Sequence, residues 1–119
     1  MSQAVILLVE DDRALARRIT GAIETRILGS HLLNVTSGEE AVHWVGANEC
    51  NVCLLDYDLP GIDGLETLAR IHQRKPNLPV IMISSAASEQ VAVAAFRARV
   101  SDYVAKQPGF EQTVAQLVQ

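Results

Sequence analysis

The 119-residue sequence has few of the features that mark nucleic-acid-binding, membrane or secreted proteins. Its lysines and arginines are outnumbered by its aspartates and glutamates, for a formal net charge of −4, so no basic footprint indicates direct binding of nucleic acid. Its apolar runs have the length of strands and are too short to span a membrane. No charged-then-apolar leader precedes them, which predicts a cytoplasmic location.

Cysteine is also scarce, since only Cys50 and Cys53 are present and they form a nominal CxxC pair. A redox-active pair needs its first cysteine at the start of a helix, whereas here the second lies inside a predicted strand. We therefore expect an inert, buried Cys53 and a Cys50 in a loop rather than a redox centre.

Strand and helix patterns alternate along the chain, without low-complexity segments or internal repeats. Apolar residues make up 49% of the sequence, which is typical of a globular protein, and the length suits a single domain over residues 1–119. Short apolar runs predict five strands, at about residues 4–9, 31–36, 52–55, 80–83 and 102–105. Apolar residues at helical spacing predict five helices between and after them, the first with its stripe over 15–27 and the fourth over 88–98.

The alternation of strands and helices implies a parallel sheet with helices on both faces. Right-handed crossovers favour a doubly wound, flavodoxin-like sandwich of three layers with strand order 2-1-3-4-5. In such a fold, ligands bind beyond the carboxyl ends of the strands, beside strands one and three. Asp12 stands where the first helix begins, so we interpret it as a helix cap, and we interpret Asp63 as a loop or cap residue rather than a ligand.

Carboxylates follow the first and third predicted strands, at Glu10, Asp11 and Asp56. Because parallel strands end at the same edge of their sheet, these side chains should meet there. Carboxylates so close together repel one another and tend to hold protons unless a cation joins them. Oxygen ligands favour a hard ion, so the pattern predicts a Mg²⁺ site.

Ser84 and Lys106 end the fourth and fifth predicted strands at the same edge. With Mg²⁺ present, a carboxylate can stay ionised and take a phosphoryl group covalently. A lysine and a hydroxyl can bind the phosphoryl oxygens. Taken alone, each of these residues is more often a solvated loop residue or a cap. The presence of these acidic, hydroxyl and lysine residues together, at the ends of four strands on one sheet edge, indicates phosphoryl chemistry.

The chain resembles the receiver domains of two-component response regulators over essentially its whole length. The resemblance rests on residues 6–12, 55–64, 79–84 and 102–106. It implies that Asp56 accepts a phosphoryl group from a phosphohistidine on a sensor histidine kinase or a histidine phosphotransfer protein. It also implies that Mg²⁺ is held by Asp56, directly by Asp11, through water by Glu10 and through the main-chain carbonyl of Asp58.

The same resemblance implies that Ser84 hydrogen-bonds the phosphoryl group, that Lys106 pairs with it, and that Tyr103 rotates after Ser84. The domain would then promote only its own phosphorylation and dephosphorylation and would not be an enzyme. The segment 110–119 has no clear helix stop, which leaves open a stand-alone receiver, a homodimer or the N-terminal part of a longer regulator with an output domain. Val93 and Ala94 form our candidate output face, although an ordinary surface helix fits them equally well.

Three features depart from the usual receiver pattern. Gln107 separates Lys106 from Pro108, where the family usually has proline directly after the lysine, joined by a cis bond. A cis bond before a non-proline residue costs about 2.5–4 kcal/mol, so the sequence leaves this isomer open. The segment 99–100 replaces a small Gly-Ala pair, and Ser85 stands where alanine or glycine is usual. These changes concern the output geometry rather than phosphorylation.

Two other functions are compatible with parts of the sequence. Asp56-Tyr57-Asp58 resembles the nucleophile and general acid of haloacid-dehalogenase-type phosphatases, but Pro60 stands where that family usually has threonine or valine. That reading also leaves the acids after the first strand unexplained. A pseudo-receiver that only binds a partner is the third possibility, and the complete set of acidic, hydroxyl and lysine residues argues against it.

Overall fold

The computed structural model describes residues 4–85 and 89–119, and in these ranges five strands alternate with five helices, as predicted. The strands are β1 (Val5–Val9), β2 (His31–Val35), β3 (Val52–Asp56), β4 (Val80–Ser84) and β5 (Asp102–Ala105). The helices are α1 (Arg13–Arg26), α2 (Gly38–Ala47), α3 (Gly64–Arg74), α4 (Glu89–Arg97) and α5 (Phe110–Val118). The predicted start of the fourth helix, at residue 88, lies outside the described residues.

The strands form one parallel sheet in the order β2-β1-β3-β4-β5, which confirms the predicted topology. Every residue of the central strands β3 and β4 is buried. Both strands lack the apolar–polar alternation of a half-exposed strand because helices cover both faces of the sheet.

Two apolar clusters fill the space between the sheet and its helices. Successive side chains of a strand point to opposite faces, so Ile6 and Leu8 pack with α1 and α5, whereas Leu7 and Val9 pack with α2, α3 and α4. The result is the predicted sandwich of three layers. None of the described helices is both long and apolar enough to cross a membrane.

Side-chain caps begin the helices on the functional edge. Asp12 accepts a hydrogen bond from the Leu15 N–H at 3.1 Å, and Asp63 accepts one from the Glu66 N–H at 2.9 Å. Each bond satisfies an N–H that has no partner within its helix. Asp12 is thus confirmed as a cap, and Asp63, expected as a loop or cap residue, is also a cap.

The element ends differ from the predicted ones by one or two residues. Helix α1 ends at Arg26, and Ile27 is its C-cap, although Ile27 still packs against the core. Strand β3 includes Asp56 and β4 includes Ser84, because their ladders continue into the polar residues at the edge. The described peptide bonds are all trans, including Lys106–Gln107.

Candidate functional site

The residues after the parallel strands meet at one edge because the hydrogen-bond register continues past the strand ends. The N–H of Glu10 donates to the carbonyl of Val35 at 3.0 Å, and the N–H of Lys106 donates to the carbonyl of Ser84 at 2.9 Å. Asp56 is the last residue of β3, which lies between β1 and β4. The fold therefore brings Glu10, Asp56 and Lys106 to the same edge, as the sequence predicted.

A lysine lies between two buried carboxylates at this edge. Lys106 Nζ is 3.2 Å from Asp56 Oδ1 and 3.4 Å from Glu10 Oε1. Glu10 and Asp56 are 1% and 2% exposed, and the Lys106 side chain is 15% exposed. Two carboxylates and one ammonium group therefore share a site that is largely removed from water.

Burial and mutual charge shift the proton affinity of all three groups. Burial, with a further contribution from the charge of Asp56, raises the pKa of Glu10 to about 7. Burial also raises the pKa of Asp56, although Lys106 opposes the shift. For Lys106, burial acts to lower the pKa, but the charges of Asp56 and Glu10 outweigh it and raise the pKa. The site therefore attracts additional positive charge.

An exposed carboxylate completes an acidic cluster at the mouth of the site. Oxygen atoms of Glu10, Asp11 and Asp56 lie within 4.8 Å of one another, with Asp11 exposed and the other two buried. The second oxygen of Glu10, Oε2, accepts a hydrogen bond from the Asp12 N–H at 3.2 Å. An all-oxygen donor set of this size suits a hard divalent cation such as Mg²⁺. The residues therefore fit the metal that the sequence predicted.

The other predicted site residues lie around this cluster. The N–H of Asp58 donates to Asp56 Oδ1 at 3.1 Å, while ligation by the Asp58 carbonyl stays a prediction. Ser84 is fully buried at the end of β4, and Tyr103 is half-buried in β5, beside Met82 of β4. Ser84 is thus on the strand next to β3, and Tyr103 is on the strand beyond it, so the two residues of the predicted switch lie on neighbouring strands.

One contact at the site was not predicted from the sequence. Ser85 Oγ donates to Asp58 Oδ2 at 2.6 Å, and the Ser85 N–H donates to the same oxygen at 3.3 Å. In the sequence, Ser85 stands out only as a departure from the receiver pattern. Its partner could not be found there because the two residues belong to different loops, and their distance depends on how β3 and β4 pair.

The candidate output face on α4 carries more exposed apolar surface than predicted. Val93 is 43% exposed and Phe96 is 54% exposed, whereas Ala94 is partly buried. The prediction included Val93 but not Phe96. Arg97 is exposed beside them at the end of the helix.

The cysteines lie where the sequence predicted, away from the acidic edge. Cys53 is buried in β3, and Cys50 is half-buried in the preceding loop; neither forms a disulfide. Burial, with a further contribution from Glu49, raises the pKa of the Cys50 thiol to about 11. Burial raises the pKa of the Cys53 thiol as well. Redox chemistry requires the thiolate, so these shifts disfavour it.

Comparison with known proteins assigns the chain to a family. The model of the response regulator receiver domain matches residues 6–118, so the chain belongs to that family. It is 36% identical over 104 residues to the response regulator protein FleR of Pseudomonas aeruginosa, and the aligned region covers 87% of this chain and 21% of FleR. It is 31% identical over 117 residues to the DNA-binding transcriptional regulator NtrC of Escherichia coli, and the aligned region covers 97% of this chain and 24% of NtrC. The chain thus spans less than a quarter of these relatives' length.

Solved structures of the same family superpose closely on this fold. A CheY-like receiver domain protein of Methanospirillum hungatei has a TM-score of 0.88 and 25% identity, covering 98% of this chain and 91% of that one. The phosphorylated cyanobacterial phytochrome response regulator RcpA has a TM-score of 0.84 and 28% identity, covering 98% and 89%. The Mn²⁺-bound form of the response regulator Rcp1 has a TM-score of 0.80 and 28% identity, covering 98% and 89%. The chain is therefore a receiver domain of the two-component response regulators.

Proposed function

We propose that Asp56 is the phosphoacceptor of this receiver domain and that its donor is a phosphohistidine on a sensor histidine kinase or a histidine phosphotransfer protein. An Asp56 oxygen attacks phosphorus, the phosphorus–nitrogen bond to histidine breaks, and an acyl phosphate remains on the protein. The observation that carries the proposal is the position of a buried aspartate against Lys106 Nζ, beside two further carboxylates.

Two donors orient the Asp56 carboxylate before the reaction. Lys106 Nζ and the Asp58 N–H both contact Oδ1, and an oriented nucleophile needs less reorganisation to reach the transition state. As the phosphoryl group arrives, Lys106 offsets the negative charge that it adds, and Ser84 supplies a hydroxyl from the end of β4. Mg²⁺, held by Glu10, Asp11, Asp56 and the Asp58 carbonyl, would supply further positive charge to the phosphoryl oxygens.

The chain acts here as a phosphoacceptor rather than as an enzyme that turns over a substrate. A phosphatase of the type weighed above would use Asp58 as a general acid. That role is disfavoured because the Asp58 carboxylate accepts two hydrogen bonds from Ser85 and its N–H is directed to Asp56. Phosphorylation of the chain itself, followed by hydrolysis of its own acyl phosphate, fits the geometry better.

The proposed output is a change in the α4 face. Phosphorylated Asp56 would draw Ser84 toward it and free space for Tyr103, and the altered face would bind a partner with different free energy. Val93 and Phe96 give that face its apolar area, with Arg97 at its border. The partner is an output domain or a second copy of the chain. The greater length of the relatives supports a longer regulator, and we propose that it is cytoplasmic. We propose no direct contact of this domain with nucleic acid or membrane.

Intact-mass measurement after incubation with acetyl phosphate and Mg²⁺ tests the phosphoacceptor. The wild-type protein should gain one phosphoryl group, and Asp56→Asn should gain none. Asp63→Asn is the matched control, because asparagine also caps helices and the change lies in the same loop. A phosphoryl group on Asp56→Asn, or a wild-type protein that takes up none, would show that Asp56 is not the acceptor.

Sedimentation of phosphorylated and unphosphorylated protein, alone and with a full-length regulator, tests the output face. Val93→Glu should reduce phosphorylation-dependent association and leave phosphorylation of Asp56 intact. Leu28→Glu is the control, since Leu28 is 89% exposed and lies outside α4. If phosphorylation-dependent association is unchanged in Val93→Glu, the output surface lies elsewhere.

A further inference from the structure

A closed ring of contacts passes through the candidate phosphoacceptor, Asp56. Asp56 Oδ1 accepts from the Asp58 N–H at 3.1 Å, and Asp58 Oδ2 accepts from Ser85 Oγ at 2.6 Å. Ser84 precedes Ser85 in the chain, and its carbonyl accepts a hydrogen bond from the Lys106 N–H at 2.9 Å. Lys106 Nζ closes the ring by contacting Asp56 Oδ1 at 3.2 Å. The ring therefore joins the loops after β3, β4 and β5.

Within this ring, Ser85 is the link between the β3–α3 loop and the end of β4. Both of its donors, the N–H and the hydroxyl, contact the same oxygen of Asp58. Asp58 is exposed and lies two residues beyond the nucleophile. Its hydrogen bonds with Ser85 tie the Asp58 side chain to the end of β4, and this contact restrains the loop that carries the Asp58 N–H. An alanine at position 85 would keep the N–H but lose the shorter hydrogen bond.

We propose that Ser85 is a positioning residue for phosphoryl transfer. By holding the Asp58 carboxylate, it keeps the Asp58 N–H on Asp56 Oδ1 and so sets the orientation of the nucleophile. The proposal rests on the proposed function of Asp56 as phosphoacceptor. It adds a residue to the phosphorylation machinery whose side chain contacts Asp58 rather than Asp56 and acts through Asp58.

The test is a double-mutant cycle on the rate of phosphorylation by acetyl phosphate at saturating Mg²⁺. Ser85→Ala should slow phosphorylation about threefold to tenfold, which corresponds to the usual net worth of one hydrogen bond. Ser85→Thr, which keeps the hydroxyl, should retain most of the rate. Asp58→Ala keeps both main-chain groups of Asp58, and in that background Ser85→Ala should have no further effect, because its partner is already gone.

Two measurements separate positioning from a general loss of structure. Ser101→Ala is the matched control, since Ser101 is exposed just before β5, at the opposite edge of the sheet, and it should leave the rate unchanged. In unphosphorylated protein, the amide resonance of Asp58 should shift and exchange faster with solvent in Ser85→Ala, while core amides keep their protection.

The outcomes distinguish this proposal from the one it rests on. Three results would each overturn the positioning role. Ser85→Ala could be phosphorylated at the wild-type rate, or its effect could persist undiminished in the Asp58→Ala background. The third is an Asp58 amide whose resonance and exchange rate are unchanged by Ser85→Ala. If neither the wild type nor any variant takes up a phosphoryl group, the proposed function is overturned instead. The exchange rate of the Asp58 amide in Ser85→Ala would then still show whether Ser85 holds that N–H.

Discussion

Lys106 Nζ lies 3.2 Å from Asp56 Oδ1, although the strands that carry the two residues, β5 and β3, are separated by β4. The lysine side chain therefore reaches across the end of β4 to the central strand. There it meets two buried carboxylates, those of Asp56 and Glu10, and compensates only one unit of negative charge. This imbalance underlies the electrostatic predictions that follow.

Lys106→Met should destabilise the metal-free protein by about 1–3 kcal/mol at pH 8, because it leaves two buried carboxylates without their cation. The loss should be smaller at pH 6, below the raised pKa of Glu10, about 7, since Glu10 can then take up a proton. Urea unfolding at both pH values, with chelator present, measures the difference.

Lys75→Met is the control for Lys106→Met. Lys75 pairs with Glu49 on the surface, where Glu49 is 86% exposed, and exposed pairs contribute about 1 kcal/mol or less. Equal losses for the two lysines, or a Lys106→Met loss that does not depend on pH, would contradict the charge balance described here.

The stability of the metal-free protein should fall as pH rises from about 4.5 to about 7. Glu10 has its pKa raised from 4.5 to about 7, so the folded state binds more protons than the unfolded state across this window, and stability decreases with pH. Glu10→Gln should flatten the slope of unfolding free energy against pH, whereas Glu24→Gln on the exposed side of α1 should keep it. A slope unchanged by Glu10→Gln would show that burial does not disfavour the Glu10 carboxylate.

Mg²⁺ should raise the stability of the wild-type protein, since it relieves repulsion among Glu10, Asp11 and Asp56 in the folded state only. At free Mg²⁺ about tenfold above Kd, the gain should be about 1.4 kcal/mol. Asp11→Ala should abolish the gain, and Asp12→Asn, which keeps the helix cap, should retain most of it. Thermal unfolding with and without Mg²⁺ is the measurement, and an unchanged gain in Asp11→Ala would move the metal site elsewhere.

Gly64→Ala should destabilise the protein by about 1–3 kcal/mol and slow phosphorylation of Asp56. A Cβ at Gly64 would lie 2.6 Å from Tyr57 Cα and 2.9 Å from the Asp56 carbonyl oxygen, which are main-chain atoms at the end of β3 and the start of the next loop. Gly21→Ala is the matched control: nothing lies within 4 Å of its added Cβ, so it should stabilise α1 by about 0.5–1 kcal/mol. Denaturant unfolding of the two variants should give opposite signs, and equal signs would refute the predicted clash.

The sequence by itself determined the order of the elements, the strand order and the edge that carries the site. Continuous apolar runs such as residues 52–55 are readable because a strand covered on both faces needs no alternation. Asp56 follows directly from that run, and parallel strands end at a common edge. The acidic and basic members of the site could therefore be named from local pattern, together with the helix cap at Asp12.

The tertiary structure alone decided how these groups meet. The contact of Lys106 with both carboxylates and the hydrogen bonds from Ser85 to Asp58 join residues distant in the chain. The raised pKa of Glu10 depends on its burial and on the nearby charge of Asp56. Periodicity records only which face of an element is apolar. Distances between side chains on different loops follow from strand pairing and packing, and the proton affinity of a carboxylate follows from how much water that packing removes.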